Sequence, residues 1–282
     1  VTGAKLTVLT QALAYQIITK QKLATNKMER RRTTQNLERV KQSTQDRFGY
    51  RPTDEAFWTS IRHKDFSPKI RYFMWVATHD AYMVGSHWLR DGFSEEFRER
   101  AECLHCHEIE NLDHILTSCG SPGQSLIWEL AGNLWNRKRS TVPWAPITLG
   151  DVLGCGLAVV TKANNETRLT GDTRLWRILI AESAYLIWKL RCEWVIGNEN
   201  AQFSNAEIQN RWEAMINERL QLDCRMTHKK YERRGVSKRL VNQTWRHLLK
   251  DEDNLPDDWA GLAGVLVGIE TDQRCRTGRR GR

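Results

Sequence analysis

No stretch of this 282-residue chain is both long and free of charge. The most apolar run, LWRILIAESAYLIWKL at 175–190, is interrupted by Arg177, Glu182 and Lys189. A membrane span needs about 20 mostly uncharged residues, so the run predicts a buried helix and no membrane segment. The N-terminus lacks an apolar signal core ahead of a cleavage site. It starts with Val rather than Met, as expected for a piece of a longer polypeptide. Glycine-rich phosphate loops and internal repeats are missing, and segments of period two are few. The expected class is therefore mainly α. Cysteines number seven, an odd count. Cys155, Cys192, Cys224 and Cys275 are scattered, which excludes a dense disulfide scaffold. A reducing, intracellular compartment, nuclear or cytoplasmic, is the expectation.

What the chain does have is positive charge and tryptophan. The formal net charge is +9, the sequence pI about 9.3, and there are 12 Trp. Large rings supply core area, and a basic balance points to an acidic partner, most commonly nucleic acid. The charge is concentrated. Residues 20–41 hold eight Lys/Arg against two Glu, and residues 228–250 hold eight against one Glu. Arg30, Arg31, Arg32, Lys229, Lys230, Arg233 and Arg234 are the candidate phosphate contacts. Nothing in these stretches has the pattern for reading base edges, so RNA or DNA would be held mainly through its backbone. Solvated helix faces are the alternative reading.

Helical periodicity covers much of the chain. Leu6, Leu9, Leu13, Ile17 and Ile18 make one face over 4–24. Thr53 is positioned to cap a helix after Pro52, and an aromatic-rich stretch follows at 68–88. Leu126, Ile127, Leu130 and Leu134 form a stripe over 125–139. Asp172 or Thr173 is the expected cap of the apolar helix, Gly197-Asn198 its end, and a further helix covers about 204–227. The expected organisation is an N-terminal helix and basic linker (1–48), a Cys/His domain (49–140), a loop or linker (141–172), and a C-terminal helical region (173–259). An Arg-rich tail (260–282), expected to be disordered, completes it.

The segment CLHCHEIENLDHILTSC, residues 103–119, carries the strongest chemical signal. Its spacing is Cys103-x2-Cys106-x7-His114-x4-Cys119. Two thiolates two residues apart grip one side of a tetrahedral Zn²⁺, and the second pair closes the other. Asn111 is placed to cap a short helix that carries His114. In an unbroken helix Cys119 would lie about 140° further round, so the chain must leave the helix near Cys119, and Gly120, Pro122 and Gly123 follow at once. With four protein ligands no position is left open for water. The expected metal is therefore one structural Zn²⁺ rather than a catalytic one. His105 and His107 compete as ligands, but their place beside Cys106 favours pointing outward.

FWTSI (57–61), SPKIRYFMW (67–75), CLHC, Glu110, DHIL, Cys119 and IW (127–128), in this order, resemble the reverse-transcriptase zinc-binding domain of non-LTR retrotransposon polyproteins. The resemblance covers about 55–130, a quarter of the chain. GAKLTVLTQALAY, RRRTTQNLERVKQ, GDTRLWRILIAESAYLIWKLRCEWVI and LKDEDNLPDDW are similar to segments downstream of a ribonuclease H domain in fungal retroelement-derived proteins. The resemblance implies Cys103, Cys106, His114 and Cys119 as zinc ligands, and Glu110 as a residue supporting them or starting the helix. A retroviral zinc knuckle has four residues between its second Cys and the His where this chain has seven, so base contacts by Leu104 or His105 are not expected.

Ribonuclease H chemistry needs carboxylates converging on two metals. Asp251, Glu252, Asp253, Asp257 and Asp258 lie instead in one Pro-containing turn, expected to be solvated. The chain is expected to have no catalytic activity by itself. Its expected function is to bind zinc and nucleic acid as the C-terminal region of a reverse transcriptase/ribonuclease H polyprotein. The alternatives are a module that docks on the upstream ribonuclease H or polymerase domain, and the remnant of a nuclease whose active site lies upstream.

Overall fold

The apolar run at 175–190 lies within a 23-residue helix, Thr170–Cys192. Leu175, Trp176, Leu179, Ile180 and Ala184 in it are fully buried. Its charges are accommodated one by one. Arg177 donates to the carbonyls of Gly156 at 3.2 Å and Ala158 at 3.1 Å, Glu182 is buried, and Lys189 reaches solvent.

A computed structural model describes residues 10–25, 30–121, 123–163, 167–197 and 202–269. The helices among them are α1 (Gln11–Thr25), α2 (Arg31–Phe48), α3 (Asp54–Ser60), α4 (Pro68–Thr78), α5 (Glu95–Arg98), α6 (Gln124–Lys138), α7 (Leu149–Gly154), α8 (Thr170–Cys192), α9 (Asn205–Met226) and α10 (Lys238–Trp245). Strand pairing among the described residues is limited to three isolated antiparallel bridges. The protein is mainly α, as the periodicity predicts.

Several caps follow the sequence. Thr53 Oγ1 accepts from the Ala56 amide at 3.2 Å, Ser67 Oγ from Ile70 and Ser204 Oγ from Glu207. These side chains satisfy amides that the first helical turn leaves without partners. The start of α8 differs from expectation. Neither Asp172 nor Thr173 caps it, because the helix begins earlier, at Thr170. Thr173 Oγ1 instead accepts from the Val160 amide at 2.9 Å.

One hydrophobic core runs from Val40 to Val267, and it draws on segments expected to be linker or tail. The supposed basic linker before residue 49 contains α2, which buries Thr33, Asn36, Val40 and Thr44. Three of those four are polar, so an apolar-periodicity reading does not register them. The supposed linker at 141–172 contains α7, buried throughout and opened by a reciprocal Thr148–Asp151 capping box. The first ten residues of the supposed tail are packed too: Ala260, Val265 and Val267 are buried, and Val267 pairs with Leu249. Residues 270–282, with all five of the tail's arginines, lie outside the described residues, as do 4–9 of the N-terminal helical stretch. In α1 the apolar residues Leu13, Ile17 and Ile18 are exposed.

Polar residues also bind the core. Arg174 lies in the second turn of α8, 3 % exposed at the side chain. Its Nε donates to Asp65 Oδ1 at 2.9 Å, and its two terminal nitrogens reach Asp223 of α9 at 2.5 and 2.7 Å. Trp245 of α10 donates its indole N–H to Asp223 at 2.8 Å. Burial raises the Asp65 carboxyl, but His63 and Arg174 outweigh it and hold the group well below the usual carboxylate range. A depressed carboxyl contributes stability above its unfolded pKa of about 3.9 and loses it as pH falls. Arg174→Met removes the cation that joins two buried carboxylates and leaves each with weaker partners. A loss of about 3–5 kcal/mol is expected, read as a lower urea midpoint at neutral pH. A variant within 1 kcal/mol of the parent would show that the three charges are not coupled.

Candidate metal centre

The Cys/His segment begins as a narrow loop. Glu102 and Ile109 face each other as an antiparallel bridge. The Glu110 amide donates to Ala101 O at 2.9 Å, Cys103 N–H to Glu108 O at 2.8 Å, and His107 N–H to Cys103 O at 2.8 Å. His107 closes the loop with φ +56°. The result presents Cys103 and Cys106 on one side. Asn111 Oδ1 then accepts from the His114 amide at 2.8 Å, the cap that the sequence suggests.

The second ligand pair depends on a feature that periodicity does not reveal. Residues His114–Ser118 form a π-helical turn, in which the Cys119 amide donates to His114 O at 2.8 Å. A five-residue hydrogen-bonded step widens the turn. It brings residue 119 back towards residue 114, which an α-helix with 3.6 residues per turn does not do. Cys119 then leaves in extended backbone, φ −65° and ψ 128°. Stop signals near Cys119 are legible in the sequence; the widened turn is not.

The four ligand atoms of Cys103, Cys106, His114 and Cys119 lie within 4.8 Å of one another. Cys119 Sγ is 3.7 Å from Cys103 Sγ and 3.9 Å from Cys106 Sγ. Zinc–sulfur bonds of about 2.3 Å at tetrahedral angles set sulfurs about 3.8 Å apart. A disulfide would need about 2.05 Å, and all three thiols are free. His114 Nδ1 is 3.7 Å from Glu108 Oε2, while its Nε2 is buried without a hydrogen-bond partner. That orphaned nitrogen suits a metal, and the exposed Glu108 carboxylate lies within ion-pair distance of the other ring nitrogen without hydrogen-bonding it. The amides of Gly120 and Ser121 approach Cys106 Sγ and Cys119 Sγ at 3.3 and 3.5 Å, which favours thiolates. Burial pushes the Cys119 thiol up to about 12, with further upward pressure from Cys103 and Cys106. Three ionised thiols in this space need a cation.

His105 and His107 are exposed and stand apart from the four-residue cluster. Glu110 precedes the helix that carries His114 and faces away from the ligands. It is buried, and its carboxylate pairs with Arg191 in the last turn of α8. The loop register aims it at α8, and Glu108 is the acid that faces the histidine. Two further supports lie outside the motif. Trp128 of α6 donates its indole N–H to Leu116 O at 2.7 Å, satisfying a carbonyl in the widened turn. Gly85, at φ +53°, lies so close to the Glu110 carbonyl that a Cβ would stand 1.6 Å from its oxygen.

The basic candidates lie at two places. Arg30, Arg31 and Arg32 open α2 and are exposed. Arg32 is committed to Asp80 at 2.6 Å. Lys229, Lys230, Arg233 and Arg234 lie in a 3-10 segment after α9 and are exposed. The acidic turn at 251–258 is a surface feature: Glu252 accepts the His247 and Leu249 amides, and Asp258 pairs with Lys238 at 2.7 Å.

Fold and site together define a helical protein with a Cys3His group able to hold a metal ion. No helix among the described residues is long and apolar enough to cross a membrane. No family model matches the chain, and neither a curated protein nor a solved structure does.

Cys119→Ser is expected to drop bound metal well below one equivalent and to raise amide exchange over 101–121. The helix α8 should keep its protection, because it is held by buried apolar area and by Arg174 rather than by the metal. Equal loss of protection in α8 would show that the centre supports the whole core.

Proposed function

We propose that this chain is a zinc-stapled, non-catalytic nucleic-acid-binding region from a retroelement-type reverse transcriptase/ribonuclease H polyprotein. The observation that carries the reading is the cluster of four ligand atoms within 4.8 Å, formed by the same Cys-x2-Cys-x7-His-x4-Cys motif on which the family resemblance rests. Sulfur separations near the zinc tetrahedron's edge favour Zn²⁺ among divalent ions, as does the thiolate-rich set. All four positions are filled by side chains, so the ion's role is to fix the loop. Six free cysteines among the described residues suit a reducing compartment, nuclear or cytoplasmic.

Nucleic-acid binding is supported by the +9 charge and its clustering. Arg30 and Arg31 project from the start of α2, and Lys229, Lys230, Arg233 and Arg234 form a second exposed group. Such contacts release counterions from RNA or DNA and discriminate little between sequences. A second reading, docking on an upstream ribonuclease H or polymerase domain, is favoured by one observation. Tyr72 and Trp75, a turn apart on α4, are 67 % and 49 % exposed, and aromatic surface of that kind suits a protein partner.

Elemental analysis of freshly reduced protein is expected to find one zinc per chain; none, with helix content intact, overturns the metal assignment. In titrations of a generic RNA and a generic DNA, affinity should fall steeply with salt. Arg30→Ala with Arg31→Ala should weaken binding on all sequences alike and flatten the salt slope by up to about two units. Absence of binding to either polymer at low salt would leave docking as the better account.

A further inference from the structure

An open groove of about 790 Å³ lies where the start of α8 meets α10. Its lining includes Lys162, Arg168, Arg239 and Arg246, all exposed. The single carboxylate in the lining is Asp172. It faces Lys138 Nζ at 3.9 Å, and Lys138 itself is buried and donates to the carbonyls of Gln243 at 2.6 Å and Arg246 at 3.2 Å. The acid is thus matched by a cation fixed in the groove wall. The four exposed cations have no carboxylate within ion-pair distance among the described residues. His247 lines the same groove and adds charge when protonated.

The helices that wall the groove are in direct contact. Gly171, in the first turn of α8, approaches α10 so closely that a Cβ would stand 2.2 Å from Gln243 O. Thr170 Oγ1 also donates to Gln243 Oε1 at 3.0 Å. The N-terminal end of a 23-residue helix faces the same space, and its dipole adds to the positive potential. The groove thus gathers four exposed cations around one acid that is already paired, a surface that suits a polyanion.

We propose that this groove is a track for the sugar–phosphate backbone of a nucleic-acid strand, with Lys162, Arg168, Arg239 and Arg246 as its phosphate contacts. The inference rests on the nucleic-acid reading above and adds a place to it. Arg239 and Arg246 belong to the basic stretch at 228–250. Lys162 and Arg168 come from the segment expected to be a linker, and only the fold brings the two pairs together. Four contacts on adjacent walls follow a backbone, and the groove presents no carboxylate free to accept from bases.

The test uses the full chain and three proteins: wild type, the groove variant Arg168→Ala/Arg239→Ala/Arg246→Ala, and the α2 variant Arg30→Ala/Arg31→Ala. Each is titrated with a labelled single-stranded RNA and a DNA duplex of mixed sequence at several salt concentrations. Circular dichroism and zinc content serve as folding controls. The groove variant should bind more weakly at every salt concentration and lose about two to three units of salt slope, a larger loss than in the α2 variant. If wild type binds and the groove variant matches it in affinity and slope, the groove is not the track, while the nucleic-acid reading stands. If wild type binds neither polymer at low salt, that reading fails and the groove assignment with it. A groove variant that loses helix content is replaced by Arg168→Gln/Arg239→Gln, for which a slope unchanged from wild type again refutes the assignment.

Discussion

Arg174 is the contact on which the arrangement of helices depends. One guanidinium near the start of α8 takes Asp65 from the loop before α4 and Asp223 from α9, and Asp223 in turn accepts the indole of Trp245 on α10. A planar group with a fixed fork of donors suits such a junction, because it sets directions as well as distances. Burying these charges costs several kcal/mol per ion, which only near-complete pairing offsets. The junction therefore tolerates one relative placement of these segments where an apolar contact would tolerate several. Arg177, three residues on, extends the same logic by donating to the carbonyls of Gly156 and Ala158, so that the segment after α7 is drawn onto α8 as well.

The other end of α8 carries a second arginine with a related task. Arg191 holds the buried carboxylate of Glu110, and Glu110 sits between the Cys-x2-Cys loop and the helix that bears His114. The metal centre is thereby fastened to the same helix that Arg174 organises at its start. Within the centre, geometry depends on a compromise in the backbone. The π turn at His114–Ser118 weakens regular helical bonding to aim Cys119 at the other ligands, and Trp128 donates to a carbonyl within that turn. Metal, tryptophan and the Glu110–Arg191 pair are three supports for one short segment. They act beside the burial of Leu112, Ile115 and Leu116, which dock the same segment on the core.

Charge is distributed in a way that separates support from recognition. Arg32, Arg47, Arg174, Arg177, Arg191 and Arg211 are engaged with carboxylates inside the protein. These residues contribute to the basic composition but are already paired. Positive charge without an ion-pair partner includes that at the start of α2, in the segment after α9 and along the groove between α8 and α10. Composition alone counts all of these residues equally. The fold decides which of them have charge to offer a partner.

Some of this was legible in the residues alone. The long apolar run was legible as a buried helix, because it is too charged for a membrane span and too long for a single strand. Thr53 and Asn111 announced helix starts through their side-chain acceptors. The four metal ligands were identifiable because a tetrahedral ion demands few residue types at short separations, and the stop signals after Cys119 told where the helix must end. Other features exist only in three dimensions. The π turn leaves no periodic signature, since it is a single widened step. The burial of α2 and α7 was hidden because their packed faces are largely polar or short, and Thr33 and Asn36 find their partners across the fold, as Asp151 does in Ser43 and Arg47. Glu108 and Glu110 are two residues apart and chemically equivalent on paper. The loop's register sent one toward His114 and the other toward Arg191, and register is set by backbone pairing between distant residues rather than by composition. The same holds for the basic groove. Lys162 and Arg246 are far apart in the chain, and they share a space because Gly171 lets α8 and α10 touch.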